Sequence, residues 1–104
     1  MNKRIVITGL GVLASNGIGK DVFWSALRLG RSGIKPVTLF DTSGLNSKTA
    51  GEISNFQPEK ILCEKGLRNL DRSTKLALCA SKMALDDSKI DTPVHEDETD
   101  YFGV

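Results

Sequence analysis

Apolar positions near the start of the chain are consecutive. Ile5, Val6 and Ile7 are β-branched and follow Lys3-Arg4. A continuous apolar run, unlike an alternating one, predicts a strand from Lys3 to Thr8 buried on both faces. Gly9-Leu10-Gly11 breaks the run, and Ser15-Asn16-Gly17-Ile18-Gly19 is loop chemistry, rich in residues that accept positive φ. From about Lys20 to Leu29 the spacing becomes helical. Val22, Phe23, Ala26 and Leu27 share one face, Trp24 flanks it, Asp21 suits the N-terminal end of the dipole and Gly30 is a natural stop. Val37 to Phe40 is a short apolar segment closed by the turn-like Asp41-Thr42-Ser43-Gly44, and Lys48 to Ile53 is a weak candidate for an edge strand.

Pro58 fits the first turn of a short helix reaching about Leu62. The strongest helical pattern runs from about Asp71 to Asp87. Leu76, Ala77, Ala80, Met83 and Ala84 form one stripe, widened by Leu78, Cys79 and Leu85, which predicts a helix buried on most sides. Asp91-Thr92-Pro93 closes this segment, and His95 to Asp100 is acidic and loop-like. Tyr101-Phe102-Gly103-Val104 restarts a strand-like run at the end of the sequence, which reads as the cut edge of a longer N-terminal domain. Strands interleaved with helices place the chain in the α/β class.

Composition narrows the classes. With 104 residues the chain has the length of one small domain or a portion of a larger one, and a formal net charge of +1 excludes a globally basic nucleic-acid binder or a polybasic membrane protein. No stretch approaches the roughly 18 apolar residues of a membrane span. Asn2-Lys3-Arg4 before Ile5 to Ala14 has the outline of a signal peptide, but Thr8, Gly9 and Gly11 interrupt it, so the expectation is a cytoplasmic protein with reduced thiols. Cys63, Cys79 and the single histidine, His95, form no metal-ligand spacing, so no metal is expected.

Gly9-x-Gly11-x-x-Ala14 after a strand matches the dinucleotide fingerprint, in which backbone amides and a helix N-terminus hold a pyrophosphate. Two features oppose that reading. Ser15 to Gly19 is not helical, and no acidic residue lies between Asp21 and Asp41 to hold a ribose. The competing expectation is a tight turn that lets two backbones approach closely. Cys79, on the apolar helix, reads as a small core residue. Cys63 lies between Lys60 and Lys65 without a histidine nearby in sequence, and His95 reads as a solvated loop residue. Lys60, Lys65, Arg68, Arg72 and Lys75 place five cations within sixteen positions, diluted by Glu59, Glu64 and Asp71. They form either a solvated surface or a docking face for an acidic partner.

Lys3-Arg4-Ile5-Val6-Ile7-Thr8-Gly9-Leu10-Gly11-Val12 resembles the start of the β-ketoacyl-acyl carrier protein synthases, in particular the type II elongating enzymes. The resemblance continues in order through Phe23-Trp24-x-Ala26-Leu27, Gly30-Arg31-Ser32-Gly33-Ile34, Phe40-Asp41-Thr42-Ser43, Ala50-Gly51-Glu52-Ile53 and Leu70-Asp71-Arg72. It implies a thiolase-like α-β-α-β-α sandwich of two similar halves, usually dimeric. Residues 1–104 would be the opening part of the first half.

The resemblance further implies a decarboxylative Claisen condensation of acyl and malonyl thioesters in fatty-acid or polyketide synthesis. The substrates ride on the phosphopantetheine of an acyl carrier protein, with no other cofactor. The family's Cys-His-His catalytic set matches neither Cys63, Cys79 nor His95, so this segment is expected to carry no catalytic residue. Lys65 and Arg68 match positions at which family members meet the acidic recognition helix of the carrier protein. Asn69 departs from the basic residue often found there, which implies weaker or differently tuned docking. Ala14-Ser15 also departs from the Ser-Pro or Ala-Pro common after the glycine turn. The implied partners are acyl carrier protein and a second ketosynthase chain, as homodimer or heterodimer, with neither nucleic acid nor membrane. The alternatives are a non-condensing homologue, either a chain-length factor or a decarboxylase-only variant, and a segment that is inert when isolated.

Overall fold

The computed structural model describes residues 2–62 and 66–91. Cys63, Lys65, His95 and the apolar end Tyr101 to Val104 lie outside the described residues. The elements are β1 (Leu13–Ala14), β2 (Gly17–Ile18), α1 (Lys20–Arg28), β3 (Ile34–Pro36), β4 (Thr49–Gly51), α2 (Pro58–Leu62), a 3₁₀ turn (Leu67–Asn69) and α3 (Arg72–Ser88).

The glycine run leads into a hairpin rather than a helix. β1 and β2 pair antiparallel, Leu13 with Ile18 and Ala14 with Gly17, around the two-residue turn Ser15-Asn16. Gly9 and Gly11 lie against α3. A Cβ on Gly11 would overlap the Ala80 carbonyl oxygen and stand 2.8 Å from the Ala84 amide nitrogen, and one on Gly9 would stand 2.6 Å from the Ser88 nitrogen. The two glycines thus serve close packing of backbone on helix, as the competing reading expected.

α1 follows the hairpin and packs on β2. It runs within one residue of its expected span, with Ala26 buried at its centre. Its end is a Schellman motif. Gly30 turns left-handed at φ 64°, its amide reaches the Leu27 carbonyl at 3.1 Å, and the Arg31 amide reaches the Ala26 carbonyl at 2.8 Å.

β3 and β4 form a second antiparallel ladder, Ile34 opposite Gly51, Lys35 opposite Ala50 and Pro36 opposite Thr49. The expected edge strand is therefore present, but its partner lies before the apolar segment Val37 to Phe40. Only Val37 adds to the ladder, its amide donating to the Lys48 carbonyl at 3.0 Å. Beyond it the Glu52 carboxylate accepts the Thr38 and Leu39 amides, each at 3.0 Å, together with the Thr38 hydroxyl at 2.9 Å. A side chain there takes over the role of a partner strand.

Two expectations are corrected. Residues 3–8 pair with no strand among the described residues, and Ile5 and Ile7 are 96% and 84% exposed. A strand with two apolar faces and two open edges forms only when neighbours occupy them. α3 has the expected length but is not buried on most sides. Cys79 is fully enclosed, Leu76, Ala80, Met83 and Ala84 are half-buried, and Leu78 and Leu85 are exposed. α2 packs on α3, as does β1, and the other faces of α3 meet nothing comparable among the described residues.

Candidate functional site

The candidate site is built by the segment that runs from α2 through the 3₁₀ turn into α3. Pro58 opens α2 and is buried. Gly66, left-handed at φ 96°, stands at the start of the 3₁₀ turn, and Leu67 is buried there, 8% exposed. With Leu67 anchored inward, Arg68 is carried on the exposed side. The turn is closed by the Leu70 amide on the Leu67 carbonyl at 3.2 Å. Asp71 then caps α3, its carboxylate accepting the Thr74 amide at 2.6 Å. Hydrogen bonds from the Thr74 side chain and amide hold the Asp71 carboxyl below the usual carboxylate range.

The cations of this segment have different duties. The Arg72 guanidinium donates to the Ile53 carbonyl at 2.7 Å and lies over the Phe56 ring, 5.5 Å from its centre. It also adds to the field that lowers the Glu52 carboxyl, after the larger contributions of the Leu39 and Thr38 amides. Arg72 is thereby a clasp between the start of α3 and the strand region ahead of α2. Arg68 holds no comparable partner among the described residues. Of the two residues expected to meet a carrier protein, Arg68 is thus placed on an open surface, and Lys65 lies outside the described residues.

A second clasp escaped sequence reasoning. The Asp87 carboxylate, near the end of α3, accepts the Leu10 amide at 2.9 Å and an ion-paired hydrogen bond from Lys20 at the start of α1. The Lys20 bond, then the Leu10 amide, keep the Asp87 carboxyl low, and the same bond raises the Lys20 ammonium. Nothing in the sequence signals a pair 67 positions apart. Cys79 is fully buried and burial pushes its thiol up, the opposite of an activated nucleophile. The described residues contain no cluster of histidine, cysteine or carboxylate side chains able to hold a metal ion.

The blocks that carry the resemblance are therefore joined in space. Glu52 ties to the residues just before Phe40-Asp41, Arg72 ties to Ile53, and the glycine turn ties to α3. Comparison with known sequences gives the same answer, for residues 2–104 match the family described as beta-ketoacyl synthase, N-terminal domain. The chain belongs to the beta-ketoacyl synthase family.

Among its relatives, a 3-oxoacyl-[acyl-carrier-protein] synthase 2 of Synechocystis is 36% identical over 98% of this chain and 24% of its own length. The tetracenomycin polyketide synthase ketoacyl synthase alpha subunit of Streptomyces glaucescens is 41% identical over 86% of this chain and 21% of its own. The solved ishigamide ketosynthase/chain length factor superposes with a TM-score of 0.77 and 38% identity, over 83% of this chain and 21% of that one. The α/β fold is thus of the thiolase-like ketosynthase type, and the chain spans less than a quarter of the length of these relatives.

Proposed function

We propose that residues 1–104 are the opening portion of the N-terminal domain of a beta-ketoacyl-acyl carrier protein synthase, and that the exposed face around Arg68, with Lys65, docks the acyl carrier protein. Family membership over residues 2–104 supports the activity, and the placement of Arg68 on an open turn anchored by buried Leu67 supports the docking role. An acidic helix meeting this face gains encounter rate and orientation rather than deep binding energy.

In the proposed reaction an acyl group passes from the carrier's phosphopantetheine sulfur to an enzyme cysteine, with release of the carrier thiol. Malonyl-carrier then loses CO2, and the resulting carbanion attacks the enzyme thioester. The enzyme thiolate leaves, and a carrier-bound 3-oxoacyl group two carbons longer is formed. A nucleophilic thiolate, groups that stabilise the developing enolate and amides that hold the oxyanion are what this chemistry requires. Cys79, enclosed and with a raised pKa, does not meet the first requirement, which supports the reading that it is not the synthase's nucleophile.

The reading includes no cofactor beyond the carrier's own arm, a homodimer or heterodimer with a second ketosynthase chain, and a cytoplasmic setting. No described helix is long and apolar enough to cross a membrane. A non-condensing chain-length factor is the second reading, favoured by the structural relative whose description couples a ketosynthase with such a factor.

The docking proposal is tested in the intact synthase by isothermal titration with acyl carrier protein at low ionic strength. Lys65→Glu combined with Arg68→Glu is expected to abolish measurable binding. Unchanged affinity would remove the docking role.

A further inference from the structure

The cationic segment contains a further cation, Lys75, whose side chain makes no hydrogen bond or salt bridge among the described residues and whose charge meets only the Asp71 carboxylate. We infer that Lys75 is a second docking cation, set beside Arg68 in one groove. The pair would orient an acidic helix of the carrier protein so that its carboxylates fall on the Arg68–Lys75 side, away from Glu59. This inference rests on the docking reading above and adds to it a specificity determinant.

Three observations carry it. First, Arg68 and Lys75 line a single groove of about 320 Å³ together with Glu59, Gly66 and Leu67. Leu67 is buried, so the groove is floored by fixed structure and its rim is charged. Second, the Arg68 and Lys75 side chains have no hydrogen bond or salt bridge among the described residues, whereas Arg72 is committed to the Ile53 carbonyl and the Phe56 ring. Third, Lys75 lies near the start of α3, whose first turn contains no acidic residue, so a cation there faces the positive end of the helix dipole with only the Asp71 cap nearby. Arg72 is explained by its clasp. Lys75 has no such clasp, only its charge interaction with the Asp71 carboxylate, and carboxylates arriving from a partner would further offset its position.

Glu59 supplies the discriminating element. An acidic helix shifted toward α2 would bring its carboxylates against Glu59, while the register over Arg68 and Lys75 avoids that repulsion. Selection of one register by attraction on one wall and repulsion on the other is a common route to specificity.

The test uses the intact synthase and acyl carrier protein, with dissociation constants measured at low and at high salt for Arg68→Glu, Lys75→Glu, Lys75→Gln and Glu59→Lys. An exposed charge pair of this kind corresponds to about a two- to fivefold change in affinity, and charge reversal to about tenfold at low salt. Lys75→Gln is expected to weaken binding about threefold and Lys75→Glu about tenfold, both losses shrinking at high salt. Glu59→Lys is expected to tighten binding. If Arg68→Glu weakens binding while both Lys75 variants stay within the wild-type error, Lys75 has no docking role and the docking face itself stands. If Arg68→Glu also has no effect, the docking face falls with it. Lys75→Gln keeps the question answerable should the charge reversal disturb α3.

Discussion

Replacing Gly11 by alanine tests how the family's opening motif is used. The added Cβ would overlap the Ala80 carbonyl oxygen and lie 2.8 Å from the Ala84 nitrogen and 2.9 Å from the Ala80 carbonyl carbon, all backbone atoms of α3. Ordinary contacts begin at 3.4 Å, so the helix or the turn must retreat by more than an ångström where the Cβ meets the Ala80 oxygen. No side-chain rotamer can relieve the overlap. A gap of that size forfeits roughly a quarter or more of the dispersion attraction across it, and forced overpacking costs about 1–3 kcal/mol. The retreat would also strain the Leu10 amide bond to Asp87, which belongs to the same turn. Two other glycines serve as references. Gly30 has open space around it but sits at φ 64°, so Gly30→Ala carries a left-handed backbone cost of about 1–2 kcal/mol. Gly44 has neither a neighbour within 4 Å nor a positive φ, so Gly44→Ala is expected to be neutral or to stabilise by a few tenths up to about 1 kcal/mol. Urea unfolding of the intact synthase, followed with protease susceptibility of the N-terminal segment, should rank the variants with Gly11→Ala least stable and Gly44→Ala most stable. A Gly11→Ala protein as stable as Gly44→Ala would refute the close-packing role. Saturable micromolar binding of NAD or NADP, lost in Gly11→Ala, would restore the dinucleotide reading.

Two further outcomes follow from the clasps and the core. Asp87→Asn should destabilise at neutral pH by removing the acceptor for Lys20 and Leu10. Because the Asp87 carboxyl is lowered in the folded state, its contribution is present above its unfolded value, about 4, and is lost as pH falls through the lower folded value. The stability difference between wild type and variant should therefore shrink below about pH 4, and a difference constant from pH 7 to pH 3 would contradict the clasp. Cys79→Ser should cost about 1–3 kcal/mol by burying a hydroxyl where a thiol now packs, and native Cys79 should resist iodoacetamide until unfolding. Rapid native alkylation would show that the site is open.

The parts legible in the sequence were those set by local chemistry. Helical spacing and Gly30 gave α1 nearly to the residue, Pro58 gave the start of α2, and the apolar stripe gave the span of α3 to within a residue at each end. The absence of a helix immediately after Gly11 also followed from Ser15 to Gly19, which turned out to be the tip and second strand of a hairpin. What failed depended on neighbours. The run Ile5-Val6-Ile7 has strand propensity, but pairing needs a partner that the described residues do not supply. The same reason leaves α3 half covered. The edge strand expected in Lys48 to Ile53 forms at Thr49–Gly51, but its partner Ile34–Pro36 carried no apolar signal, while the Glu52 carboxylate, not a strand, satisfies Thr38 and Leu39 in the more apolar segment that follows. The Asp87 clasp was invisible because both its partners are distant in sequence. For the candidate site, the sequence located the cationic segment, and only the structure separated Arg72, a structural clasp, from Arg68 and Lys75, which line an open groove.

The central claim is that the cationic face delivers carrier-bound substrates to a condensing enzyme without taking part in the chemistry. The most direct measurement is the rate of 3-oxoacyl product formation by the intact synthase, wild type against Lys65→Glu with Arg68→Glu. It should be made once with substrates on acyl carrier protein and once with the same acyl and malonyl groups on a short pantetheine thiol. The expected result is a large rise in KM for the carrier-bound substrates with kcat on the short thioesters unchanged. Equal losses on both substrate forms would place these residues in the folding or chemistry of the enzyme, and no 3-oxoacyl product from the wild type on either form would contradict the condensing activity itself.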